Sequence, residues 1–235
     1  MFRSFVGSLV VAGGAMLACV QHAQADDLGL SLGLVAKAGA GANYLPAPSG
    51  TPMIAGPFDD GVGGYGIAGG LAVDARLFKG LLGVESGLII DAVTDWSKYE
   101  PAGNAGPELS LGWSTTELRI PLLVSVGTPG DGTRLSFGTG PEFVVPLSAT
   151  YEIEVERGVF GSGYNFDAES ETHVNWLVNL GIASPLGPLR ATFDVRFAYN
   201  LGVPDTYAER LNGGQVKTLH AMDLRLLVGL GYDLL

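Results

Sequence analysis

The sequence predicts an all-β protein, an eight-stranded antiparallel up-and-down transmembrane β-barrel. Three observations predict it. The composition is apolar overall but never in one long block, eight segments alternate with period two, and the connections between them are alternately short and long.

Of 235 residues, 36 are Gly, 47% are hydrophobic and only 16% are charged, whereas ordinary soluble proteins carry about a quarter charged residues. Beyond the N-terminus no stretch supplies the roughly 20 consecutive apolar residues of a membrane helix. Strands with one apolar and one polar face reconcile the two facts. The N-terminus has its own logic: Arg3, an apolar run from Phe5 to Val20, then Ala23-Gln24-Ala25 before Asp26. This pattern predicts a signal peptide over residues 1–25, cleaved between Ala25 and Asp26, and a barrel domain over residues 26–235. Met16-Leu17-Ala18-Cys19 offers a weaker lipoprotein-type alternative.

Cleavage removes Arg3 and Cys19, leaving twelve bases against 24 acids, a formal charge of −12. No disulfide or thiol chemistry is then available. So acidic a chain also excludes nucleic acid as a partner, because nothing neutralises phosphates.

The last segment is the clearest strand. Met222, Leu224, Leu226, Val228, Leu230, Tyr232 and Leu234 alternate with positions that include Asp223, Arg225, Gly229 and Gly231. Leu189 to Leu201 alternates with Arg190, Thr192, Asp194, Arg196 and Asn200. Val174 to Ile182 alternates with His173, Asn175 and Asn179, and Leu118 to Val126 with Glu117 and Arg119. Leu82 to Ile90 alternates with Glu85 and Asp91, Tyr65 to Val73 faces away from small residues and Asp74, and Leu28 to Leu34 is set against Ser31, Gly33 and Lys37. Leu135 to Ser148 completes the eight, less cleanly. Period-two alternation over about ten residues is strand geometry. Short joins are expected at Arg76–Gly80, Gly127–Arg134 and Pro185–Pro188, and long ones at Tyr44–Gly61, Asp95–Gly112, Ala149–Thr172 and Gly202–Thr218. Outer-membrane barrels are wired this way, with tight periplasmic turns and long external loops.

Alternation also suits a soluble ligand-binding barrel, whose apolar face points inward. The polar face decides for a membrane. Besides many glycines it carries Lys37, Asp74, Glu85, Asp91, Glu117, Arg119, Glu142, Arg190, Asp194, Arg196, Asp223 and Arg225. That near-balance of acids and bases suits a narrow, charge-paired interior. Tyr44, Tyr65, Trp96, Trp176 and Tyr199 fall where strands meet long connections, with Tyr232 near the opposite end, the placement of a lipid–water boundary.

The stretch Glu117-Leu118-Arg119-Ile120-Pro121-Leu122-Leu123 resembles the "L-x-I-P-L-L" strand of the PorT-like and OmpA/OmpX-like outer-membrane β-barrel families, and Gly138-Thr139-Gly140-Pro141 resembles its continuation. Gly229-Leu230-Gly231-Tyr232-Asp233-Leu234 resembles the signal read by the barrel-assembly machinery, although the chain ends in Leu235 and places Leu227 where a polar residue is common. The resemblance implies an integral outer-membrane protein, with outer-membrane lipid, lipopolysaccharide and the assembly machinery as partners.

Three groups of residues are candidates for function. Glu85, Glu117, Arg119, Asp194, Arg196, Asp223 and Arg225 predict a charge network in the lumen, either a salt-bridged plug or a narrow ion path; the interior of an eight-stranded barrel is just wide enough for its side chains, which favours the plug. Glu152, Glu154, Glu156, Asp167, Glu169 and Glu171 predict an acidic external loop, free to meet a ligand, a partner or lipopolysaccharide through cations. Alternation through Tyr151, Ile153 and Val155 predicts that strands continue into this loop as a hairpin. The mature histidines His173 and His220 lack the neighbouring serine of a lipid-modifying outer-membrane enzyme and stand at no metal-ligand spacing. The sequence thus predicts no catalytic residue, no metal and no cofactor, and a structural or surface-interaction role. The alternative is a lipid-modifying outer-membrane enzyme whose His, hydroxyl and carboxylate converge across strands at the outer rim around His173 or His220.

Overall fold

The computed structural model describes residues 29–45, 62–99, 109–155, 164–167, 172–202 and 221–234. These form nine strands: β1 (Ser31–Leu45), β2 (Val62–Leu77), β3 (Leu82–Tyr99), β4 (Leu109–Gly127), β5 (Arg134–Val155), β6 (Tyr164–Asp167), β7 (His173–Leu186), β8 (Leu189–Asn200) and β9 (Met222–Asp233). All pairings are antiparallel. Each strand of the ring pairs with its neighbour in sequence, β5 pairs with β7, and β9 returns to β1. The result is a closed eight-stranded barrel, with β6 added to the outer end of β5.

Following paired residues round the ring from Leu34 leads through Val73, Ser86, Leu122, Trp176 and Tyr199 and returns to β1 at Tyr44, a stagger of ten residues. With strands about 4.8 Å apart and a rise of about 3.3 Å per residue, that stagger sets a tilt of about 40°. From Leu189 to Tyr199 on β8 the apolar face thus covers about 25 Å along the barrel axis, the height of a membrane-barrel apolar band. So small a ring curves sharply. A Cβ on the inward-facing Gly39 would collide with the carbonyl oxygen of Leu226 on β9, and one on Gly70 with that of Leu88 on β3. Glycine at these points lets neighbouring backbones close the ring.

The two faces are sorted as the alternation predicts, apolar outward. On β9, Leu224, Leu226, Val228, Leu230 and Tyr232 are all exposed, while Asp223, Arg225 and Leu227 are buried. Leu122, Val124 and Val126 project outward from β4, whereas Arg119 on the inward face is 0% exposed. The aromatic residues Tyr44, Tyr65, Trp96, Trp176 and Tyr199 are exposed near one rim, and the rings of Tyr65 and Trp96 meet edge to face at 5.4 Å. No helix among the described residues is long and apolar enough to cross a membrane.

The short turns occur where expected, at residues 78–81, 128–133 and 187–188. Two long connections need correction. The expected loop Asp95–Gly112 is strand at both ends, since β3 runs on to Tyr99 and β4 begins at Leu109. Likewise β5 continues through Val155, and Tyr164–Asp167 folds back on it as β6, so the expected loop Ala149–Thr172 is strand at its start and again in its middle. The hairpin reading of this segment holds. A register shift at Thr116/Glu117, opposite Leu147, marks the change. Below it the outward residues are Leu118, Ile120 and Leu122; above it they are Ser114, Thr116 and Thr150. A bulge of this kind sharpens the local twist where strands leave the barrel.

Candidate functional site

The lumen is built from the inward positions of eight strands, and its charges form layers. At the centre of the outer half, Arg119 on β4 gathers four carboxylates. Its Nε lies 2.9 Å from Asp91, Nη2 is 2.7 Å from Glu117, and Nη1 is 3.0 Å from Glu142 and 2.8 Å from Asp223. These come from β3, β4, β5 and β9, so a single guanidinium ties together strands from opposite sides of the ring. Arg225 adds a second cation, donating from Nε to Asp91 at 2.7 Å and standing 3.0 Å from Asp223. Asn175 Nδ2 donates to Glu142 at 3.0 Å. Every member of this cluster is buried.

A second cluster lies nearer the short turns. Lys37 Nζ stands 2.7 Å from Glu85 and 2.8 Å from Asp194, Arg196 binds Glu85, and Asn179 Nδ2 donates to Asp194 at 3.3 Å. Apolar side chains fill much of the space between the two clusters. Ile89 lies between Glu85 and Asp91 on the inward face of β3, Leu227 follows Arg225 on β9, and Leu177 stands between Asn175 and Asn179 on β7; all three are buried. Ile89 and Leu227 pack with Ala68, and Leu177 packs with Leu123 and Ala198. Charges buried in this way must be paired to be tolerated, and on β8 and β9 the clusters adjoin, with Arg196 of the inner one opposite Arg225 of the outer one.

The seven lumen charges named from the sequence therefore divide. Glu117, Arg119, Asp223 and Arg225 meet in the outer cluster, and Glu85, Asp194 and Arg196 in the inner one. Lys37, Asp91 and Glu142, read from the sequence only as members of the polar face, are full partners in these clusters. A third layer lies at the short-turn mouth, where sequence reasoning named Asp74 and Arg190 on the polar face but missed Arg76 and Asp233. There Asp74 and Asp233 bind Arg76 and Arg190, with Arg190 Nη2 at 2.6 Å from Asp74 and Arg76 Nε at 3.0 Å. Arg76 and Asp233 keep the inward parity of Asp74 and Arg225, so extending the alternation by one step would have found them. Asp95 was also missed. It is buried on the inward face of β3, two positions beyond Val93, where Asn43 donates to it.

Of the acidic external residues, Glu152 is exposed on β5, opposite Gly112 of β4 and Asn165 of β6. Glu154 lies opposite Ser110, and Asp167 opposite Thr150. Glu156, Glu169 and Glu171 lie outside the described residues, as do His220 and the expected cleavage site at Ala25 and Asp26. His173 begins β7 opposite Val144 and is half-buried. Among the described residues no group of three or more His, Cys, Asp and Glu is arranged to hold a metal ion.

No protein-family model matches the chain, and no curated protein matches it. Solved structures with a similar fold include Neisserial surface protein A, at 12% identity over 87% of this chain and 96% of that one, with a TM-score of 0.34. A major outer membrane protein from Thermus thermophilus is 14% identical over 86% of this chain and 99% of that one, with a TM-score of 0.43. Ail, the attachment invasion locus protein of Yersinia pestis, solved with the heparin analogue sucrose octasulfate, is 10% identical over 86% of this chain and 98% of that one, at a TM-score of 0.31. Nothing about role follows from likenesses this distant. The closed ring of eight antiparallel strands, apolar outside and charged within, makes this chain a transmembrane β-barrel of the outer-membrane type.

Proposed function

We propose that the protein resides in the bacterial outer membrane as a non-conducting barrel with a structural and surface-interaction role. In this reading it is exported by a signal peptide cleaved between Ala25 and Asp26 and inserted by the barrel-assembly machinery. Its lipid contacts are membrane lipid and lipopolysaccharide. The strands β4, β5 and β6, rising beyond the aromatic rim, meet external ligands or partners. No catalytic step is assigned to it.

The observation that carries the reading is the cross-section at Arg119. One guanidinium holds carboxylates from four strands, and the buried apolar side chains Ile89, Leu227, Leu177 and Leu123 pack beneath it. An ion path needs continuous water, and this arrangement supports a plug. The mature protein reconstituted in planar lipid bilayers should show no discrete conductance steps. Regular, ohmic single-channel steps from the purified wild-type barrel would overturn the plug in favour of the narrow-channel reading.

A further inference from the structure

Arg76 at the end of β2, Arg134 at the start of β5 and Arg190 at the start of β8 line one cavity of about 330 Å³ at the short-turn mouth of the lumen. Two carboxylates serve two of these arginines, since Asp74 and Asp233 each bind both Arg76 and Arg190. Arg134 forms no ion pair among the described residues, and its Nε is buried with no hydrogen-bond acceptor there. Its side chain lies in a cradle of glycines. A Cβ at Gly127 would stand 2.5 Å from Arg134 Nε, one at Gly80 3.2 Å from the same atom, and one at Gly83 3.3 Å from Nη2. The chain thus makes room for a third guanidinium beside two others that repel it, with Asp74, already bound to both, as the carboxylate that attracts it. A half-buried cation in like-charged company is unfavourable until an anion joins it.

A fourth cation joins the cavity through the turn between β2 and β3. Phe78 and Lys79 both have φ of 54°, a conformation that residues with side chains rarely adopt. The turn is fixed by Gly80 N donating to Leu77 O, Lys79 N to Gly29 O and Gly130 N to Lys79 O. It turns Phe78 outward and leaves Lys79 lining the cavity. Four bases therefore face Asp74, Asp131 and Asp233, in a chain that is otherwise strongly acidic.

We propose that this mouth is a binding site for a small soluble oxyanion, a phosphate or carboxylate group entering from the short-turn side. Arg134 is the principal ligand, because a guanidinium fork can grip two oxygens of such a group at once. Arg76 and Arg190, held by Asp74 and Asp233, add positive field, and Lys79 stands at the entrance. The arginines project inside the ring, away from the lipid-facing surface, which favours a soluble anion over a membrane phosphate. The inference does not depend on the external strands or on whether the barrel conducts.

The test is a titration of the folded mature protein in a non-ionic, phosphate-free detergent with inorganic phosphate, read by calorimetry and ³¹P line broadening. Saturable binding near one phosphate per barrel is expected, weakened at least fivefold by Arg134→Gln. Should that variant fail to fold, Arg134→Lys keeps the charge without the fork and should bind less tightly than the wild type. No saturable binding, or binding unchanged by either substitution, would overturn the proposal.

Discussion

Arg119 has no route to solvent and four acidic partners, so its removal shows most clearly what the lumen network does. Replacing it by Met leaves Asp91, Glu117, Glu142 and Asp223 with Arg225 as the cation that still binds Asp91 and Asp223. Breaking a buried ion pair by deleting one partner costs about 3–5 kcal/mol, since the remaining charge is stranded. Arg119→Met should therefore lower the unfolding free energy in lipid vesicles by about that amount, read from tryptophan fluorescence against urea. A change below about 1 kcal/mol would mean that the network fills the lumen without holding it. The individual charges were visible in the sequence as the polar phase of each strand. Their partners were not, because Arg119 meets Asp223 across 104 positions of chain and that meeting depends on the stagger of the whole ring.

Single strands carry the evidence for a membrane. The outward row Leu118, Ile120, Leu122, Val124 and Val126 on β4 would face water in a soluble barrel and hydrocarbon in a membrane one. Leu122, at its centre and 44% exposed, separates the two cases. In a bilayer, arginine near the midplane of a barrel strand costs about 2–4 kcal/mol. Leu122→Arg should therefore slow insertion and destabilise the folded barrel by that order in vesicle-based urea titrations. In a soluble barrel the same exposed substitution would be nearly neutral.

The strands also show where sequence reading ends. Inside the apolar band each strand separates two unlike environments, so its alternation is plain, and all eight strands of the ring were legible. Above the bulge at Thr116/Glu117 both faces of β3, β4 and β5 leave hydrocarbon. Segments such as Ser97-Lys98-Tyr99 and Ser110-Leu111-Gly112 then lose the contrast that marks a strand, and they read as loop. The same loss of contrast at the short turns concealed Arg76, Arg134 and Asp233, which line the mouth of the lumen.

For the whole molecule, the closed ring removes every free strand edge within the apolar band, as lipid requires of any backbone that crosses it. The stagger of ten residues, the inward glycines and the layered charges are consequences of closing so few strands around side chains. The central claim is that this closed barrel lives in a membrane with its apolar face outward. The most direct test is the gel mobility, with and without boiling, of the mature protein recovered from an outer-membrane fraction. A folded barrel should sediment with the membrane, require detergent for extraction, and change mobility in dodecyl sulfate only after heating. Recovery in the soluble periplasm, with one mobility before and after boiling, would contradict the account.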